Sequence, residues 1–371
     1  MIATAHDIAP ANETGIADVQ TTNGMIAMRN LESQIVTQQS EVALDHSTVG
    51  AQVALIELIT LRGLILGRVA DYERAEEIAE RLVQSEPANG AALVARARTR
   101  GTFHRFLDAL NDLAVAERLA PNDEMVNIER AAIFQALGQY DEAFAIRQEA
   151  ATRRPSFETL GALAGLCAER GEIEAAEWLY LESRNRFRGV SPFPLALLEF
   201  QFGLMWMDDG RLDDARTWFD AARRRVPAYA PAQGHLAEVE AELGEVDTAV
   251  ARLLPLAISS DDPDYAAQLA RILGDAGRAD ESRHWCEQAA ARYDQLVVRH
   301  PEAFADHAAE FWLTVGGDSN EGLRLARLNF EVRKTPRAHE LLSRAISANE
   351  TAGMTFSSVL RPPRDGSRAT T

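Results

Sequence analysis

Apolar residues recur three and four positions apart along most of the chain, the spacing of helices that bury one face. Between Met25 and Leu44 they fall at Met25, Met28, Leu31, Ile35, Val36, Val42 and Leu44, which predicts an amphipathic helix. From Val53 to Val69 the apolar run is interrupted only by Glu57, Arg62 and Arg68. That run reads as too short and too polar to span a bilayer. Beyond it, helical stretches are punctuated at a fixed interval. Pro87, Pro121 and Pro155 are spaced 121 − 87 = 34 and 155 − 121 = 34 residues apart. Upstream of them the same order recurs: Asp71 to Ala75, Arg105 to Ala109, and Gly138 to Ala143.

The order continues where the proline is missing. Gly171, Gly210, Gly244 and Gly277 each precede one or two carboxylates and then Ala175, Ala215, Ala249 or Ser282. A glycine can take the left-handed conformation that ends a first helix. Carboxylates next to it favour the positive N-terminus of a second helix. The small residue allows two helices to approach closely, and the late proline ends the second helix. The glycine spacings are 33, 39, 34 and 33, from 171 − 138, 210 − 171, 244 − 210 and 277 − 244. The long one marks an insertion at residues 188–194, a candidate protrusion.

The 34-residue period and the turn signature resemble the tetratricopeptide-repeat family. The resemblance implies an all-α fold: an α-solenoid, wound as a right-handed superhelix, of about eight helix-turn-helix repeats. It also implies a small residue at a fixed place in each first helix. Counting back from the turns gives Gly63, Ala97, Ala131, Ala164, Gly203, Ala237 and Ala270. All seven are small. An eighth, degenerate pair is expected from Phe304 to Arg333, turning at Gly316 and Gly317 with Ala309 as its small residue. The expected organisation is a disordered segment 1–23, a capping helix 24–48, the solenoid 49–335, a C-terminal capping helix 336–354 and a disordered tail 355–371. Terminal caps cover the ends that a stack of repeats would leave open.

Composition narrows the function classes. The formal net charge is −18, which argues against a nucleic-acid surface and against docking on anionic lipid. Cys167 and Cys286 lie in different repeats among apolar neighbours, as buried thiols do. No leader of the secretory type opens the chain, so a cytoplasmic protein is expected. No phosphate loop, nucleophile elbow or metalloprotease helix occurs, and the expectation is a protein that is not an enzyme and uses no cofactor or metal. His300, His307 and Glu310, with Asp306, come nearest to a site, because His307 and Glu310 are three apart on one helix.

In the family the first helices line a concave groove. By register the candidate partner-binding residues are Arg98, Met125, Gln135, Phe200, Met207, Glu238, Gln268 and Arg271. Such a mixture suits a peptide or helix laid into the groove. Arg98 and Arg271 are the candidates for an anionic group, with ion pairing inside the solenoid as the competing role. The carboxylate clamp that some members build from lysines and asparagines is not expected, since Lys334 is the one lysine. The aromatic stretch from Phe187 to Phe219 reads as core around a longer link, or as a docking site. Arginines at 184–188 and 223–225 sit where second helices end. The expected function is a scaffold or adaptor for a protein or peptide, with an accessory subunit of an enzyme complex and a peptide-sensing regulator as alternatives.

Overall fold

The computed structural model describes residues 19–43 and 48–359, with side chains described as far as residue 351. Eighteen helices and no strand occur among these residues. Helix α1, Gly24–Val42, is followed by eight antiparallel pairs. They are α2 (Val49–Leu66) with α3 (Val69–Ser85), α4 (Gly90–Thr102) with α5 (Phe106–Leu119), and α6 (Glu124–Leu137) with α7 (Tyr140–Arg153). Then come α8 (Phe157–Glu169) with α9 (Ile173–Arg186), α10 (Pro192–Asp208) with α11 (Leu212–Arg225), and α12 (Ala230–Glu242) with α13 (Val246–Ser259). The last pairs are α14 (Asp264–Asp275) with α15 (Ala279–Arg299) and α16 (Pro301–Leu313) with α17 (Ser319–Val332), covered by α18 (Pro336–Val359). The last helix therefore runs past residue 354, where a tail was expected to begin. The remainder of that tail and residues 1–18 of the N-terminal segment lie outside the described residues.

The register of small residues is a packing requirement. Ala97, Ala131, Ala164, Ala237, Ala270 and Ala309 are all buried at the crossings. At Gly203 an added Cβ would lie 2.6 Å from the Phe219 ring of its partner helix. The turn glycines at 138, 171, 210, 244 and 277 all have positive φ. The second pair has no glycine there, and His104 takes the left-handed conformation instead, at φ +56°.

Helix α1 is more than a lid. Arg62 on α2 pairs with Asp71 of its own unit and reaches back to Glu32 on α1 at 2.9 Å. In the next unit Arg96 pairs with Asp112 and reaches back to Glu80 on α3 at 3.1 Å. One period later Arg130 reaches back to Glu117 on α5 at 2.6 Å. So α1 stands to α2 as α3 stands to α4, and it is the second helix of a half-unit. Its Ala27, Leu31 and Ile35 are buried in the main core.

Helix α2, eighteen residues, is by length and composition apolar enough to cross a membrane, contrary to the expectation for this run. In the fold it lies among α1, α3, α4 and α12. Ala51, Leu55, Ile56, Ile59, Gly63 and Ile65 are buried there, and its charged Glu57 and Arg62 are both paired. In the insertion at 188–194, residues 188–190 are exposed and residues 192–194 are helical. Residues 192–194 open the long helix α10, and the Val190 carbonyl in the link accepts the Thr22 N–H at 2.8 Å.

The superhelix meets itself after just under six units. Asp261, between α13 and α14, accepts the Val69 and Ala70 N–H groups at the start of α3, at 2.6 and 3.0 Å. Next along, His104 Nδ1 lies 3.0 Å from the Glu302 carbonyl, and His300 stacks on Phe103 at 4.0 Å. Then the Lys334 N–H donates to the Leu137 carbonyl at 3.1 Å. The separations are 261 − 69 = 192, 302 − 104 = 198 and 334 − 137 = 197 residues. The turns inside units one, two and three thus seat on the links that follow units six, seven and eight. This seam encloses the concave face as a lumen.

Candidate functional site

The first helices supply the lumen wall, and most of its charges are already matched. Arg98 on α4 bridges Glu57 on α2 at 2.8 Å and Glu129 on α6 at 2.7 Å. Glu238 on α12 accepts from Arg271 on α14 at 3.2 Å and lies 3.0 Å from His235. Gln135 donates to Glu169 on the next first helix. Four candidate residues, Arg98, Gln135, Glu238 and Arg271, therefore join successive first helices rather than standing free.

Two others are enclosed. Phe200 is 8% exposed and packs its ring against Phe219, Tyr229 and His235, at 5.6, 5.3 and 5.5 Å. Gln268 is buried and donates to Asp264 at 2.9 Å. Met207 packs on the main core and is only partly open. Met125 remains exposed, at 40%, and beside it Ile128 at 50%. Both are on α6. Val94, at the register of Ile128 one unit earlier, is 7% exposed. The difference lies in the neighbours: α6 packs on α4 and α8 packs on α10, which leaves the step from α6 to α8 loosely joined.

The densest group of titratable side chains sits at the seam. His307 on α16 faces Asp264 at 3.7 Å and Asp306 at 4.0 Å. Its pKa is raised to about 9, first by the Asp306 charge and then, against desolvation, by Asp264. Protein surrounds it, yet 48% of its side chain stays open to solvent. Burial would raise the Asp306 pKa, but the charges of His307 and Arg333 hold it at about 2. Arg333 lies 2.8 Å away. Asp264 is likewise lowered despite burial, through His307 and the Tyr293 hydroxyl. Asp262 goes the other way, pushed to about 6 by burial and by the neighbouring Asp264. The sequence pairing of His307 with Glu310 does not form. Glu310 is taken by Arg344 on α18, and His300 lies against Glu73 at 3.1 Å. Among the described residues no group of three His, Cys, Asp or Glu side chains is placed to hold a metal.

A wider cleft, about 450 Å³, lies beside residues 19–24, next to Arg184, Glu199 and Arg225. Arg225 grips Glu199 through two nitrogens, at 2.9 and 2.7 Å, and also donates to the Val19 carbonyl at 3.0 Å. Arg225, at the end of α11, therefore fastens the N-terminal segment as well as complementing the helix dipole. Sequence inspection missed this pair, because Glu199 stands in an otherwise apolar stretch.

No family model and no curated protein matches the chain. Solved structures do. The human IFIT1 dimer with m7Gppp-AAAA is similar with a TM-score of 0.54 at 16% identity, over 87% of this chain and 77% of that one. The APC/C hetero-tetramer Cut9–Hcn1 is similar with a TM-score of 0.50 at 14% identity, over 86% of this chain and 62% of that one. The chain thus spans less than two thirds of the latter's length. At such identities the likeness defines the fold: the chain is an α-solenoid of the tetratricopeptide-repeat type.

Proposed function

We propose that the chain is a non-catalytic scaffold that holds a segment of another protein against the lumen wall at α6. The observation that carries this reading is the exposure of Met125 and Ile128 side by side on α6, where Val94 and Phe200 at the register of Ile128 are buried. Methionine and aliphatic side chains on a concave helical face suit the apolar stripe of a helix or peptide. An RNA occupant, as in the IFIT1 structures, would draw on unmatched cations. Arg98 and Arg271 are instead neutralised by Glu57, Glu129 and Glu238, which favours a protein segment. Charge reversal at Arg98 would break a ladder across three units and is a poor probe.

The test is a cross-linking and mass-spectrometry search for the partner, followed by Met125→Glu with Ile128→Glu. The double variant should keep its helical circular dichroism and lose the purified partner at least tenfold in affinity. Unchanged affinity would overturn the α6 site. Tight binding of a labelled single-stranded RNA, weakening steeply with salt, would overturn the protein-segment reading.

A further inference from the structure

We infer that Arg147 anchors an acidic side chain of the segment held at α6: the segment carries an aspartate or glutamate beside its apolar residues, and that carboxylate pairs with the Arg147 guanidinium at the step between α6 and α8. This rests on the proposed α6 site and adds the chemistry of its occupant. Arg147 stands where neighbouring units have a core residue. The same place on the second helix holds Ala79, Leu113, Tyr180, Phe219 and Leu253 in units one, two, four, five and six, and all five are buried. The spacings are those of the units themselves: 147 − 113 = 34, 180 − 147 = 33, 219 − 180 = 39 and 253 − 219 = 34. Of these six units the third alone puts a charge there.

Arg147 Nη1 donates to the Ala162 carbonyl on α8, and among the described residues no carboxylate forms an ion pair with it. Glu169 acts on it only at longer range, and that carboxylate already accepts from Gln135 and from the Tyr140 hydroxyl. Burial therefore pulls the Arg147 pKa below its ordinary value. A partly buried cation without a close counter-charge is costly, and a bound carboxylate offsets that cost. The bond to Ala162 uses one of five N–H donors, so the guanidinium fork stays open to a carboxylate.

Its place matches the apolar site. Helices α6 and α7 cross at Ala131 and Ala143, both buried. Arg147 is four residues on from Ala143, which puts it level with Asn127 and Ile128, four and three residues back from Ala131. The bond to Ala162 directs it toward α8, where successive first helices are loosely joined. Ala162 is exposed there and Arg147 partly so. Met125, Ile128 and Ala132 are exposed along α6 on both sides of this level. A segment lying on them runs past the arginine and meets it with a side chain rather than a chain end. A single guanidinium suits one carboxylate, whereas a nucleic acid needs a run of cations.

The test selects a phage-displayed library of random peptides, without free C-termini, on the full chain. Enriched peptides should share an aspartate or glutamate at one fixed place beside their apolar residues. The tightest is then synthesised with that residue and with its amide, and both are titrated by fluorescence anisotropy. The amide version should bind the wild type at least tenfold more weakly. Arg147→Leu places there the residue that unit two has, so it should melt no lower than the wild type. It should bind the two versions within twofold of each other, and its retained affinity for the amide guards against a folding defect. An acidic preference that persists in Arg147→Leu would overturn the anchor. So would enriched peptides with no shared carboxylate, or enrichment confined to a library with free C-termini, which assigns the anion to a chain end. Failure of the α6 site reads differently: the selected peptides would bind Met125→Glu with Ile128→Glu as tightly as the wild type, whatever stands at residue 147. No enrichment on the wild type would overturn both.

Discussion

Gly171 and Gly138 hold the same left-handed backbone, at φ +77° and +82°, in different surroundings. A Cβ at Gly171 would meet nothing within 4 Å. At Gly138 it would lie 2.7 Å from the Lys334 carbonyl, across the seam. Gly171→Ala should therefore cost about 1 kcal/mol, the conformational term alone. Gly138→Ala should cost clearly more, because the seam must also shift. Denaturant midpoints decide it, and equal losses would argue against a tight seam. The need for glycine was legible at both positions, since it is set by local φ. The contact of Gly138 was not, because Lys334 is some two hundred residues away.

His307 and Asp306 give the seam a dependence on pH. His307 is raised to about 9, so its contribution is full below its ordinary value, about 6.5, and is lost as the pH climbs through 9. Asp306 is held at about 2, so its contribution is present above the ordinary carboxylate value and is lost as the pH falls toward 2. The melting temperature should fall between pH 7 and pH 10, and His307→Gln should flatten that fall. An identical slope in the variant would remove His307 from the account. The sequence singled out His307 but gave it Glu310 as a neighbour. Helical spacing reports contacts along one helix, such as the Asp306 charge that acts most on His307, whereas its second partner, Asp264, comes from α14.

At the scale of elements, α1 illustrates what periodicity conveys and what it leaves out. The apolar spacing from Met25 to Leu44 predicts the helix, and the structure places it at Gly24–Val42. Its role as a half-unit was written in Arg62, Arg96 and Arg130, one period apart, and each reaches a carboxylate on the preceding helix. Leu31 is buried in the main core, and Leu31→Ala should cost about 2–5 kcal/mol. Glu32 is nearly half exposed, so Glu32→Ala should cost at most about 1 kcal/mol. Thermal unfolding of the two variants measures the contrast, and a larger loss from Glu32→Ala would contradict the packing assigned to α1. Candidate lumen residues were legible only as a register. Register gives the side of a helix, whereas exposure depends on how closely the next unit approaches, which is why Phe200 is enclosed and Ile128 is open.

At the scale of the molecule, Asp261 is the test of closure. Its carboxylate caps two N–H groups of α3 from a distance of 192 residues along the chain, 261 − 69. Asp261→Ala should cost about 1 kcal/mol, as the loss of a helix cap does. It should also speed amide hydrogen exchange at Val69 and Ala70 and enlarge the radius of gyration seen by small-angle scattering. Unchanged exchange and scattering would mean that the turns do not depend on this contact.

The sequence by itself determined the helices, their pairing, the turn glycines and the small residues at the crossings. All of these rest on interactions within a unit or between adjacent units, so each repeat states them again. Only the tertiary structure decided that the superhelix closes on itself and that Asp261 caps α3 across a seam. Closure follows from a small rotation at each interface, summed over nearly six units. No single interface carries that sum, and a contact almost two hundred residues away leaves no periodic trace in the chain.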